Sequence, residues 1–148
     1  MRAIPLMILF AASCSAQGAL GTWKMDPTRS TFIGDPHPKS FTVRIEPHAK
    51  GEVFTIDTIW WDGRATTSST ILYLDGKARD FQELKCSGTQ SSRRLDNGTV
   101  EILRNCDSGR RIRLVRRLSA QAKELILDIS EQPSDGRRFV RHLVLEKQ

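Results

Sequence analysis

Turn signals recur along this chain at steps of about ten to fourteen residues, the interval that an antiparallel meander of short strands produces. They are Lys50-Gly51, Asp62-Gly63, Asp75-Gly76, Ser87-Gly88, Asn97-Gly98, Ser108-Gly109, Gln121-Ala122-Lys123 and Asp135-Gly136. A parallel pair of strands needs a crossover of a dozen or more residues, and no interval between these turns has room for one. The spacing therefore excludes a doubly wound fold and leaves antiparallel β structure.

The segments between the turns alternate as half-buried strands should. Val43 and Ile45 share a face, Phe54 and Ile56 continue the pattern, and Ile112, Leu114 and Leu118 form another set. Leu125, Leu127 and Ile129 follow, then Phe139, Leu143 and Leu145. The pattern predicts about ten strands, near residues 20–25, 41–48, 52–61, 65–74, 80–86, 89–95, 99–106, 111–119, 124–132 and 137–147. One connection is long, residues 26–39 with Pro27, Pro36 and Pro38, and such a loop is suited to capping one mouth of a barrel. A meander of this many strands gains by closing, because closure removes edges that would pair with other chains. The expected fold is all-β, an antiparallel up-and-down barrel of about eight to ten strands, with a two-sheet sandwich as the alternative.

The amino terminus carries Arg2, an apolar run over residues 4–12 and the small residues Ser13-Cys14-Ser15-Ala16. This is the layout of a secretory signal, and the run is too short to span a bilayer. Cleavage is expected after Ala16, which leaves one domain over residues 17–148. The competing cut, before Cys14, would make that cysteine a lipid anchor, but Ala11 stands where such signals carry a Leu-like residue. Export to the periplasm or outside the cell leaves Cys86 and Cys106 as an even pair in an oxidising compartment. A disulfide is the default there, and two separate buried thiols are the alternative.

Several classes of chemistry lack their residues. There is no Gly-x-Ser-x-Gly elbow, no phosphate-cradling glycine-rich loop and no His-Glu-x-x-His helix. The three histidines, His37, His48 and His142, lie far apart, and no Cys-x-x-Cys occurs. The reading is of a protein without catalytic residues, metal or cofactor.

The first strand holds Gly21-Thr22-Trp23, the Gly-x-Trp signature of lipocalins. The longer run Gly21-Thr22-Trp23-Lys24-Met25-Asp26-Pro27, then Ser30-Thr31-Phe32, Pro38-Lys39-Ser40 and Thr42-Val43-Arg44-Ile45-Glu46, resembles the opening of a family of short exported bacterial lipocalin-like domain proteins. Leu74-Asp75-Gly76-Lys77, Arg116-Arg117 and the closing Leu145-Glu146-Lys147-Gln148 extend the resemblance over nearly the whole mature chain. Ala78-Arg79-Asp80 and the pair Cys86 and Cys106 depart from it. The resemblance implies a lipocalin-like barrel and no particular chemistry.

It also implies a structural role for Gly21 and Trp23, with Trp23 on the barrel floor beneath an arginine of a late strand. Arg141, in phase with Phe139, Leu143 and Leu145, is the expected partner, and a guanidinium over an indole contributes roughly 1 kcal/mol. Arg116 interrupts an apolar face, so it is expected either to meet an acidic ligand or to pair with an internal Asp or Glu. Trp60 and Trp61 must point to opposite faces; by phase with Phe54 and Ile56, Trp60 is inward. Trp60 and Tyr73 are candidates for lining an apolar cavity, with filling of the core as the alternative.

The formal charge of +6 comes largely from arginines of the second half: Arg93, Arg94, Arg104, Arg110, Arg111, Arg113, Arg116, Arg117, Arg137, Arg138 and Arg141. Outward arginines on strands suggest a stripe that meets anionic lipid or polysaccharide, while export argues against nucleic acid. The leading expectation is a monomeric binding protein for a small apolar or amphipathic ligand. The second is an envelope protein acting through its basic outer face.

Overall fold

Alternation of apolar residues governs the architecture seen in a computed structural model, which describes residues 18–34, 37–96 and 98–148. The proposed signal, its cleavage site and Cys14 lie outside the described residues. The strands are β1 (Gly21–Met25), β2 (Thr31–Ile33), β3 (Pro38–His48), β4 (Gly51–Trp60), β5 (Ala65–Leu72), β6 (Arg79–Glu83), β7 (Cys86–Asp96), β8 (Thr99–Cys106), β9 (Arg111–Leu118), β10 (Glu124–Gln132) and β11 (Phe139–Lys147). They form one antiparallel sheet in the order β5-β4-β3-β1-β11-β10-β9-β8-β7-β6. That order wraps the sheet into a nearly closed ten-strand barrel, as the turn spacing predicts, rather than a sandwich.

The long connection after β1 corrects the reading of residues 26–39 as a loop. Its residues Thr31–Ile33 form β2, which pairs with Val140, Arg141 and His142 of β11, while β1 pairs further along the same strand at Leu145 to Lys147. β1 and β2 thus act as two halves of one interrupted barrel stave. Asp26 supports the interruption by accepting hydrogen bonds from the Thr28 backbone and hydroxyl at 2.9 and 2.7 Å.

Ser87-Gly88 is not a turn either: it lies inside β7, and the chain reverses at Leu84 and Lys85 instead. A Cβ at Gly88 would stand 1.9 Å from the Asn105 carbonyl oxygen. The glycine therefore permits a close approach of β7 to β8 and marks no reversal. Just beside it, Cys86 and Cys106 are joined by a disulfide. The two cysteines are 20 residues apart, so in the chain-entropy account the bond contributes about 3 kcal/mol by restricting the unfolded chain. A Cys86→Ala/Cys106→Ala variant is expected to lose about that much in urea unfolding at unchanged far-UV circular dichroism.

Inward residues divide the barrel into two halves. Toward the floor, Trp23, Val43, Ile45, Phe54, Leu72, Val100, Ile102, Leu125, Leu127, Leu143 and Leu145 are essentially inaccessible and form one apolar cluster. The Trp23 indole Nε1–H donates to the Ala19 carbonyl at 2.9 Å, so the ring is buried without an unpaired donor. Toward the other end, the mouth, polar residues join the inward set: Thr58, Thr66, Ser68 and Thr70 on β4 and β5, Gln90 on β7, Arg104 on β8 and Glu131 on β10, beside the apolar Phe41, Ile112 and Ile129. The β3 start and the turns β4–β5, β6–β7, β8–β9 and β10–β11 all lie at this end.

Candidate functional site

The barrel is incomplete at one place. β5 and β6 are the two ends of the sheet order and do not pair, so two strand edges face each other across a gap. The segment between them crosses to β7 near the floor, where Asp75 bridges Arg93 and the Leu74 N–H donates to the Ser92 hydroxyl at 2.9 Å. Above this crossing a cavity of about 280 Å³ opens on the flank, lined by residues that include Thr70, Tyr73, Lys77, Arg79 and Gln90. That volume is at the lower end of the roughly 300–1,000 Å³ usual for small-molecule sites.

Tyr73 lines this cavity, but on the outward phase: the inward set of β5 is Thr66, Ser68, Thr70 and Leu72. The reading of Tyr73 as an inward aromatic is corrected by one residue of phase, since neighbouring side chains along a strand point to opposite faces. The Arg79 guanidinium stacks over its ring at 3.8 Å and is held there by Asp75, whose carboxylate oxygens accept at 2.9 and 2.6 Å. These hydrogen bonds hold the Asp75 carboxyl well below the usual carboxylate range.

A chain of polar side chains runs inward from the cavity, beginning at Thr70 and Gln90, which line it, and continuing to Arg104 beyond them. Gln90 donates through Nε2 to the Thr70 hydroxyl at 2.9 Å, tying β7 to β5 behind the gap, and accepts at Oε1 from Arg104 Nε at 2.9 Å. Arg104 also lies over the Phe81 ring at 4.4 Å, and its ion-pair partner Glu83 is at 3.5 Å. Burial lowers the Arg104 pKa from its ordinary value, against the opposing pull of Glu83. The cation is therefore buried against a neutral amide, with the Glu83 carboxylate at 3.5 Å and the charge of Glu131 as further partial compensation.

Trp60 is inward at the mouth, and its indole N–H donates to the Thr66 hydroxyl at 3.1 Å. The Arg141 guanidinium stands 5.6 Å from its ring centre and pairs with Glu131 at 3.1 Å. Glu131 also receives Arg110. Arg141 thus sits over Trp60 and not over Trp23. The register explains the correction: Trp23 is opposite Lys147, six residues further along β11, or roughly 20 Å away at the strand rise. The cation near the Trp23 ring is the Lys147 ammonium, at 5.6 Å. Gly21 opens β1 with φ of +129°, a backbone conformation that favours glycine.

Arg116 takes the internal-pairing alternative. It is 2% exposed, and Nη2 donates to Glu52 Oε2 at 2.5 Å. Arg94 approaches the other Glu52 oxygen at 3.9 Å. Burial lowers the Arg116 pKa, with Glu52 opposing the shift, and Nη1 has no hydrogen-bond partner among the described residues. Arg116 and Trp60 lie at opposite ends of the barrel, so the structure does not bring the three candidate ligand residues together.

Glu52, Glu131 and Gln90 were not singled out from the sequence, although the signal was present, and the placing of Arg104 in the basic stripe is corrected, because Arg104 is buried and inward. Glu52 is in phase with Phe54 and Ile56, Glu131 with Leu127 and Ile129, and Arg104 with Val100 and Ile102. Outside the barrel the arginine stripe is partly neutralised. Glu101 accepts from Arg93 and Arg113, each at 2.8 Å, which lowers its pKa below the ordinary value against the effect of burial.

No protein-family model matches the sequence, and no curated protein matches it significantly. Solved structures do match. A secretory abundant heat soluble protein from Ramazzottius varieornatus has a TM-score of 0.58 at 10% identity, covering 88% of this chain and 96% of that one. As-p18, an extracellular fatty acid binding protein, has a TM-score of 0.56 at 14% identity, covering 89% and 97%. The zebrafish ileal bile acid-binding protein, solved with cholic acid, has a TM-score of 0.52 at 12% identity, covering 88% and 99%. At such identities the likeness establishes architecture alone: the chain shares with these proteins an antiparallel β-barrel fold.

Proposed function

We propose that this protein is an exported binding protein, residues 1–16 serving as the signal and residues 17–148 as the barrel, for a small amphipathic molecule with an anionic end. The observation that carries the reading is one buried cation in the mouth half of the barrel. Arg104 faces inward there, and among the described residues its close contacts are the neutral Gln90 amide at 2.9 Å and the Glu83 carboxylate at 3.5 Å. An anion placed beside Arg104 would add to the partial compensation that Glu83 and Glu131 give it, and desolvation strengthens such a contact. Fatty acids and bile acids, named for two of the similar structures, are anionic amphiphiles of this kind. Trp60 and Tyr73 supply aromatic surface at the mouth and the gap, while Arg116, neutralised by Glu52, serves the floor.

Titration with anilinonaphthalene sulfonate, an anionic amphiphilic fluorophore, followed by displacement with oleate and cholate, tests this. Saturable binding is expected. Arg104→Met is expected to weaken it about tenfold or more, a hydrogen bond to a charged group being worth roughly 1.5–3 kcal/mol. An outward control, Arg117→Gln, should bind as the parent does. Equal affinity in a folded Arg104→Met variant, or no saturable binding by the parent, would remove the proposal.

A further inference from the structure

We propose that the mouth of the barrel docks on an anionic lipid bilayer through exposed apolar tips set among unpaired cations. The described residues include five large apolar side chains that are strongly exposed: Ile33, Ile59, Trp61, Leu84 and Leu95. Four of them are at the mouth. Ile33 ends β2, Ile59 and Trp61 flank the end of β4, and Leu84 forms the β6–β7 turn, where it is 96% exposed. Trp61 is 68% and Ile33 66% exposed. The Trp61 N–H donates to the His37 carbonyl at 3.3 Å, so the β4–β5 turn and the segment after β2 touch. Ile33 in turn pairs with Val140, next to the β10–β11 turn.

Charge accompanies these tips. Exposed Lys39, Lys85, Arg111, Arg137 and Arg138 are at the same end, and none makes an ion pair among the described residues. Asp62 is taken up by Arg64, which leaves Asp107 and Asp135 as the acids of these turns among the described residues. Tips on three separate loops do not form the walls of one groove. They suit a planar partner into which each inserts alone. An indole is suited to the headgroup level, and each lysine or arginine near an anionic leaflet contributes attraction. The inference does not depend on the ligand reading, since neither Trp61 nor Leu84 belongs to the cavity.

The test is co-flotation of the purified protein with vesicles of phosphatidylcholine alone, or of an equal mixture with phosphatidylglycerol, together with tryptophan emission. Binding to the mixed vesicles with a blue shift is expected. A Trp61→Ser/Leu84→Ser variant should bind about tenfold more weakly and lose the shift, while Trp23 and Trp60 continue to report an intact fold. Both side chains are exposed, so thermal unfolding should match the parent. No flotation, flotation undiminished in that variant, or flotation indifferent to phosphatidylglycerol would overturn the proposal. Loss of binding in Arg137→Gln/Arg138→Gln but not in Trp61→Ser/Leu84→Ser would equally overturn it, and would point to the basic outer surface acting by charge alone.

Discussion

Replacing Glu52 by alanine is expected to destabilise the protein by about 3–5 kcal/mol, the cost of removing one partner from a buried ion pair. Arg116 is almost inaccessible, and its one close carboxylate, from a residue 64 positions away, is Glu52 at 2.5 Å. Without that carboxylate the guanidinium remains buried among Phe54, Leu127 and Val100. The loss should be much smaller in Glu52→Leu/Arg116→Leu, because buried pairs replaced by apolar side chains are often neutral or stabilising. Urea unfolding of the parent, Glu52→Leu, Arg116→Leu and the double variant measures the coupling directly. Single losses below about 1 kcal/mol would mean that Arg116 finds water or another partner.

Trp23→Ala is expected to cost a similar amount, about 3–5 kcal/mol, for a different reason. The side chain is wholly inaccessible and packs in the cluster with Val43 and Leu145 on the strands beside it. Its removal leaves a cavity that the strands around it cannot collapse, since β1 is pinned between β3 and β11. The Ala19 carbonyl also loses its donor. Trp23→Phe fills most of the space and should recover most of the stability while still losing that hydrogen bond. Thermal unfolding of the two variants separates volume from hydrogen bonding.

Strand identity was legible because turn chemistry and period-two alternation are local, and a barrel with one wet face writes both into its sequence. Two misreadings have a common origin in local signals that serve a nonlocal purpose. Gly88 reads as a turn residue, yet its lack of a side chain serves the approach of Asn105. Proline in residues 26–39 reads as a loop, yet residues 31–33 pair with a strand more than 100 positions later.

The same limit separates what was visible of the site from what was not. That Arg116 points inward follows from the phase of β9, but its partner lies on β4 and is fixed by closure. Arg141 is inward for the same reason, and its phase says nothing about its height in the barrel. Only the register of β1 against β11 places it at the mouth with Trp60 instead of on the floor with Trp23. Tyr73 shows how a single residue of phase moves a side chain from interior to flank. The polar chain Arg104, Gln90 and Thr70 spans three strands, and only its alternation with buried neighbours is written locally.

Native mass spectrometry of the protein purified from its own host, followed by denaturation to release and weigh whatever it carries, tests the binding reading most directly. The account predicts a released molecule of small mass with an acidic group, reduced or lost in Arg104→Met. It also predicts an intact mass that begins at Gln17 and lacks two hydrogens for the Cys86–Cys106 bond. Bare protein that remains bare after incubation with oleate and cholate would contradict it.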